Sequence, residues 1–331
     1  MASKLSISVI TPSFNQGSFL EETIQSVAAQ NYPLLEHLVI DGGSSDQSVQ
    51  ILQKYNVQLT YWVSEPDRGQ SHAINKGLQR ATGQIVMWLN SDDVLLPGAL
   101  ARISEIFSAQ PGVDFIHGKS VLFGDVSKEL TLGEGLSEME SRYLATIPFP
   151  QPSSFFRKSL SDMLGPLNEE LDYGMDYEYL VRAVLTGTKP FAVNEFFSKY
   201  RLHANSKTKD KIQFSIEWSG VFSKMLRSVG NADDLIQQMQ AAGVYHEGDD
   251  RFPVTFFPDK ITLQQALLFH LQTQANYYYS ALDFNKTRPI LQTIRRISPD
   301  FYRSQKLQTL NFKSRYLPKP LITLLRNLTR L

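Results

Sequence analysis

Two adjacent carboxylates, Asp92 and Asp93, follow Asn90-Ser91 at the end of a short apolar run, Ile85-Val86-Met87-Trp88-Leu89. Paired acids of this kind suit a hard divalent cation, above all one that must also hold a diphosphate. The same two residues can equally form a turn and cap a helix that starts near Pro97. Asp41 and Asp67 each close another apolar segment, and Asp176 stands ahead of an apolar and aromatic run, Tyr177 to Val181. A carboxylate can take a proton from an attacking hydroxyl, but one at a helix start is also an ordinary N-cap, favoured there by the helix dipole. In Tyr200-Arg201-Leu202-His203 the guanidinium can pair with phosphate oxygens.

What must position these groups is a set of strands. The apolar run before Asp92 is short and rich in β-branched and aromatic residues, which predicts a strand buried on both faces. Three others precede it. Leu5 to Ile10 stops at Thr11-Pro12, Glu36 to Ile40 ends on Asp41-Gly42-Gly43-Ser44, and Leu59 to Val63 ends at Ser64-Glu65-Pro66-Asp67-Arg68-Gly69-Gln70. Each is followed by a helix, about Phe19 to Gln30, then one through Val49, Ile51, Leu52 and Tyr55, then about Ser71 to Ala81. Strand and helix alternating at this spacing predict an α/β fold, a mostly parallel sheet flanked by helices.

The C-terminal ends of parallel strands share one edge, where ligands of open α/β sheets collect. Thr11, Asn15, Asp41, Asp67, Arg68, Gln70, Asn75, Asp92 and Asp93 are therefore expected along one rim. Loop residues are often polar only because loops are wet, yet several strand ends in a row carry such groups. The phosphate-binding patterns G-x-G-x-x-G and G-x-x-x-x-G-K-[ST] are both missing, which argues against dinucleotide dehydrogenases and P-loop enzymes.

Four segments of the chain resemble the family-2 glycosyltransferases, inverting enzymes of the GT-A fold. They are Ser8-Val9-Ile10-Thr11-Pro12-Ser13-Phe14-Asn15, Val39-Ile40-Asp41-Gly42-Gly43-Ser44-Ser45-Asp46, Asn75-Lys76-Gly77 and Trp88-Leu89-Asn90-Ser91-Asp92-Asp93, in order over about two hundred residues. The resemblance implies a nucleotide-sugar donor, read here as uridine-linked, with Thr11, Pro12, Phe14 and Asp41 at the base and ribose. Asp92 then lies near the ribose and Asp93 ligates Mn²⁺ or Mg²⁺, while His203 completes the metal or diphosphate site beside Arg201. Asn15, Asp67, Gln70 and Asn75 join the donor set. Asp176 matches the family's general base, with Met175 where relatives carry a glutamate, and Asn90 replaces the first acid of the family's Asp-x-Asp element. Glu178 is a reserve base, although helix geometry turns it roughly 200° from Asp176. The stretch Ile147 to Arg157, with three prolines, matches the acceptor side.

The chain has 331 residues, with 33 Lys and Arg against 33 Asp and Glu. No global field points to nucleic acid as a partner. With no cysteine there are no disulfides and no thiolate chemistry, which fits a reducing cytoplasm. No run approaches the length of a membrane span. Residues 1–208 are expected to form the catalytic domain and 209–331 a helical domain with a basic tail, a cap or an oligomer interface. From Asn285 onward eleven cations, Arg326 and Arg330 among them, face one acid, Asp300. Such a stretch can lie on an anionic membrane surface or form a solvated helix face. The reading is a cytoplasmic enzyme, peripheral on the inner face of the membrane, that adds sugar to a glycan or lipid-linked glycan. The alternative of another class is a non-catalytic nucleotide-sugar or glycan-binding protein that retains the fold.

Overall fold

Strand β1 (Ile7–Ser13) is buried along its whole length, because it lies between two parallel neighbours, β2 (Leu35–Asp41) and β4 (Ile85–Trp88). The computed structural model describes residues 4–133 and 139–323. On the far side of β2 lies β3 (Tyr61–Ser64), also parallel. Helices α1 (Leu20–Ala28), α2 (Ser48–Lys54) and α3 (Gln70–Arg80) make the crossovers. Ile85, Val86 and Met87 are fully buried, so the apolar run is a central strand, as its composition predicts; each such side chain contributes about 1.5–3 kcal/mol. Ile7, Val9, Met87 and Leu89 pack into one core with Leu100, Ile103 and Phe107 of α4 (Ala99–Ala109).

Beyond β4 the sheet is mixed. A two-residue strand β5 (Val94–Leu95) and the long β6 (Phe115–Gly124) come next in the chain. They are followed by β7 (Leu130–Leu132), β8 (Ser154–Arg157) and β9 (Phe191–Leu202). The order across the sheet is β3-β2-β1-β4-β8-β6-β9-β5, with β7 on β6. β8 runs antiparallel to both β4 and β6, while β9 runs parallel to β6 and pairs antiparallel with β5. The proline-rich stretch before Arg157 holds one 3-10 turn, Gln151–Ser153, and β8 follows directly. Between β6 and the 3-10 turn lie β7 and α5 (Met139–Ala145), and 134–138 lie outside the described residues.

Two more helices, α6 (Lys158–Leu164) and α7 (Met175–Leu185), precede β9. The chain divides into two compact units. The first holds Met1–Ser137, Pro148–Tyr179 and Thr188–Ala204, the second Glu138–Ile147, Leu180–Gly187 and Asn205–Leu331. The second unit is helical: α8 (Lys211–Val229), α9 (Asp233–Ala242), α10 (Lys260–Ser280), α11 (Phe284–Ile297), α12 (Pro299–Ser304) and α13 (Leu307–Tyr316). Its long α10 is buried at Leu267, Leu268, Leu271, Ala275 and Tyr278, residues whose spacing predicts an amphipathic helix. Asp210, Asp259 and Asp283 cap α8, α10 and α11 by accepting backbone N–H bonds. No helix among the described residues is long and apolar enough to cross a membrane.

Candidate active site

The parallel register aligns the strand ends. Ile10 lies opposite Trp88, and Ser13 opposite Asp41, so the chain leaves β1, β2 and β4 on one edge of the sheet. At the end of β2 the buried Asp41 carboxylate accepts from Ser44 N at 2.8 Å, Ser44 Oγ at 2.6 Å and Ser64 Oγ at 2.7 Å. Asn15 sits in the left-handed region (φ 52°) and its Oδ1 accepts from Ser45 N at 2.9 Å, tying the β1 loop to the β2 loop. Phe14, between them, is 59% exposed. A Cβ on Gly42 would stand 2.7 Å from Asp67 Oδ2, so glycine here lets the Asp67 carboxylate approach the β2 end. Asp67 itself accepts from Gly69 N at 2.8 Å.

The acids after β4 form a turn held from several sides. Thr23 Oγ1 lies 2.9 Å from Ser91 O and 2.7 Å from Asp93 O. Arg201 donates its backbone N–H to Asp93 Oδ1 at 2.9 Å and its Nε–H to Asp92 O at 2.8 Å. Its guanidinium also pairs with Glu22 and lies over the rings of Phe19 and Phe123. Asp93 is 1% exposed. Its proton affinity rises well above the ordinary carboxylate range, first because burial penalises the charge and then because Asp92 is also negative. Asp92, less buried, meets His203 Nε2 at 3.0 Å through Oδ2.

Contacts from these acids run toward Met175, the neighbour of Asp176. Asn90 Nδ2 faces Asp93 Oδ2 at 3.4 Å and Gln151 Oε1 at 3.2 Å, while Gln70 Nε2 donates to Asn90 Oδ1 at 2.8 Å. The next residue, Ser71, directs its hydroxyl to Met175 Sδ at 2.8 Å. Asp176 follows at the first turn of α7, where its Oδ1 accepts from Tyr177 N at 2.8 Å. Glu178 is 4% exposed, Tyr177 is fully buried, and burial drives the Tyr177 phenol well above its usual range. The loops on this side are pinned by Glu169, which accepts from Asn75 Nδ2 and Arg68 Nε at 3.0 Å each. The Asn75 bond is the first cause of its lowered carboxyl pKa, burial opposes it, and Arg68 adds to it.

Not every expected contact faces the rim with its side chain. The Thr11 hydroxyl is buried against His37 Nε2 at 3.0 Å. Asn75 is taken up by Leu167 and Glu169, with Leu167 N donating to its Oδ1 at 2.8 Å. Pro12 is buried within β1. Thr23, Ser44 and Ser64 hold the site although sequence reading gave them no role, and Gln151, read only as part of the acceptor-side stretch, bonds Asn90; the partners of Thr23 and Gln151 are 61 residues or more away. Ser13 was missed too: its hydroxyl is buried without a hydrogen-bond partner among the described residues, opposite Asp41.

The donor set fits a divalent cation of the Mg²⁺ or Mn²⁺ kind. Asp92 and Asp93 are close enough for one charge to disfavour the other, and a cation reverses that penalty. Among the described residues no three His, Asp or Glu side chains form a ready-made metal cage. Cations of this class are commonly held by one or two carboxylates together with substrate phosphates.

Residues 8–162 match the profile of Glycosyl transferase family 2, and the chain belongs to that family. An uncharacterized glycosyltransferase of Mycobacterium tuberculosis is 35% identical over 200 residues, 56% of this chain and 71% of the relative. The GalNAc(5)-diNAcBac-PP-undecaprenol beta-1,3-glucosyltransferase of Campylobacter jejuni is 34% identical over 206 residues, 59% of this chain and 64% of the relative. Among solved structures, residues 1-349 of Staphylococcus aureus TarS in complex with UDP-GlcNAc give a TM-score of 0.63 at 18% identity, covering 94% of this chain and 87% of that one. This chain spans about half, 53%, of a longer TarS chain. The mannosyltransferase PcManGT of Pyrobaculum calidifontis, in complex with GDP-Man and Mn²⁺, gives 0.57 at 18% identity, covering 94% and 86%. The fold is GT-A, with a helical C-terminal region.

Proposed function

We propose that the chain is an inverting glycosyltransferase that moves a sugar from a UDP-sugar to a hydroxyl of a glycan or lipid-linked glycan. The observation that supports this reading is the run of contacts from Asp93 through Asn90 to Gln70, followed in the chain by Ser71, whose hydroxyl meets Met175, the neighbour of Asp176. The relatives named above, one acting on an undecaprenol-linked glycan and one solved with UDP-GlcNAc, support the choice of donor and acceptor class.

In this reading Phe14 stacks on the base, and Asp41, Asp67 and Ser13 hold the nucleoside. Asp92 reaches the ribose. Thr11, Pro12, Asn15, Gln70, Asn75 and Arg201 keep the loops in place behind them. Asp93 and His203 hold Mn²⁺ or Mg²⁺, which supplies positive charge to the leaving diphosphate. His203 must then give up part of its contact with Asp92. The Asp176 carboxylate takes the proton of the acceptor hydroxyl as its oxygen forms a bond to the anomeric carbon. The bond from that carbon to the diphosphate breaks on the opposite face, and configuration inverts. In the same reading the proline-rich stretch, whose Gln151 Oε1 accepts from Asn90 Nδ2, lines the acceptor side.

Asp176→Asn tests this. It should lower transfer by about 10²–10⁴-fold, the usual share of a positioned base, while UDP binding measured by calorimetry stays within about twofold. Unchanged transfer would remove Asp176 from the reaction, and no transfer by the wild type over a panel of sugars and acceptors would favour a binding protein.

A further inference from the structure

Helix α13 has two apolar faces, and folding accounts for only one of them. Leu307 and Ser314 are buried and Leu310 packs against the cluster of Tyr279, Phe284 and Ile322. At about 100° per residue these positions mark the inner stripe of the helix. Phe312 and Tyr316 lie roughly opposite it, 56% and 68% exposed, with their rings 5.0 Å apart. Arg315 and Lys313 flank this aromatic ridge at about 80° to either side, and both are exposed. Just beyond the helix Leu321 is also exposed.

A helix that only closes a bundle turns polar groups to water. This one presents two adjoining aromatic rings, tilted at 42° to each other, between cations. The sequence that carries it is strongly basic: Lys286, Arg288, Arg295, Arg296, Arg303, Lys306, Lys313, Arg315 and Lys319 against Asp300, between 285 and 323. Arg303 pairs with Asp300, and Arg288 bonds Ser314 O in the interior. Arg295, Arg296, Lys306 and Lys313 have no ionic partner among the described residues and all are exposed. Arg326 and Arg330, part of the same basic tail in sequence, lie outside the described residues.

We propose that the outer face of α13 binds an anionic lipid bilayer surface, with Phe312 and Tyr316 entering the headgroup layer and the surrounding cations meeting acidic headgroups. Aromatic rings favour that layer, and each cation near an anionic surface adds attraction that salt weakens. A polyanion such as RNA would satisfy the cations but has no apolar layer for an exposed ridge to enter, so the bilayer fits both features.

The test is sedimentation of the full chain with vesicles of phosphatidylcholine alone or mixed with phosphatidylglycerol, without nucleotide. Binding to the mixed vesicles at low salt, weakening as salt rises, is expected. The pair Phe312→Ser and Tyr316→Ser should reduce it about tenfold. Removing Lys313 and Arg315 as glutamines should cost about fivefold for each charge. All four side chains are exposed, so helix content by circular dichroism should be unchanged. No binding to the mixed vesicles, or binding that the aromatic pair does not affect, would overturn the proposal; binding to RNA but not to vesicles would do the same. Because no nucleotide is present, failure here leaves the glycosyl-transfer reading standing, and failure of that reading leaves this one testable.

Discussion

Arg201 holds Asp93 by its backbone and Asp92 by its side chain: its N–H reaches Asp93 Oδ1 at 2.9 Å and its Nε–H reaches the Asp92 carbonyl at 2.8 Å. From β9 it thus fixes both acids of a turn that leaves β4, and its pairing with Glu22 ties the same turn to α1. The guanidinium is a positioning group before it is a phosphate ligand. Arg201→Lys keeps a charge but loses the planar donor to Asp92. A lost charged hydrogen bond costs about 1.5–3 kcal/mol, and UDP affinity should fall about tenfold as the acids loosen. Urea denaturation and calorimetry read the two effects, and intact affinity beside lowered stability would confine Arg201 to folding.

Gly77 belongs to a segment that resembles a family motif, yet its reason for being glycine is packing. A Cβ there would stand 2.3 Å from Ile10 Cγ2, under the helix that crosses β1. Gly77→Ala should destabilise the chain by about 1–3 kcal/mol through overpacking. Gly220, in α8, has no described atom within 4 Å of the equivalent position beyond its own helix backbone and chain neighbours. Gly220→Ala should stabilise by about 0.5–1 kcal/mol on helix propensity alone. Urea midpoints of the two variants should move in opposite directions; a shared direction would contradict the packing argument.

The buried histidines predict loss of stability in acid. Burial pushes the imidazoles of His37 and His117 down to about 3, from 6.5. Below pH 6.5 the unfolded chain therefore binds protons that the folded chain refuses. Stability is whole above that pH and falls as the pH drops toward 3, by up to about 1.4 kcal/mol per pH unit for each residue. Asp93, whose folded pKa is raised by burial and by Asp92, works in the opposite direction. His37→Gln isolates one contribution, since glutamine can still meet the Thr11 hydroxyl. Between pH 6 and 4.5 its urea midpoint should decline less steeply than that of the wild type, and equal slopes would contradict the assignment.

Much of this site is legible in the sequence because its cues are local. An apolar run stopped by Asn90-Ser91-Asp92-Asp93 reads as a central strand with acids at its end, and the parallel register puts those acids on the edge shared with Asp41. β5 and β8 were not legible. β5 has two residues, and β8 follows a proline-rich turn and exists because β4 and β6 offer open edges on either side of it. Nor could local pattern show that Thr11 turns to His37, or that Asn75 serves Leu167, since each depends on a partner brought in by the fold. Asp176 reads alike as a cap and as a base in the sequence, because a helix-start carboxylate has the same local signal in either role.

The most direct test of the donor site is calorimetry of UDP with wild type and Asp93→Asn, each with Mn²⁺ and with chelator. Asparagine can still accept from Arg201 N–H, so the turn should persist while the charge is gone. UDP binding should require Mn²⁺ in the wild type and fall at least about tenfold in Asp93→Asn. Binding that ignores the chelator, or is equal in the variant, would contradict a metal-held diphosphate at Asp93.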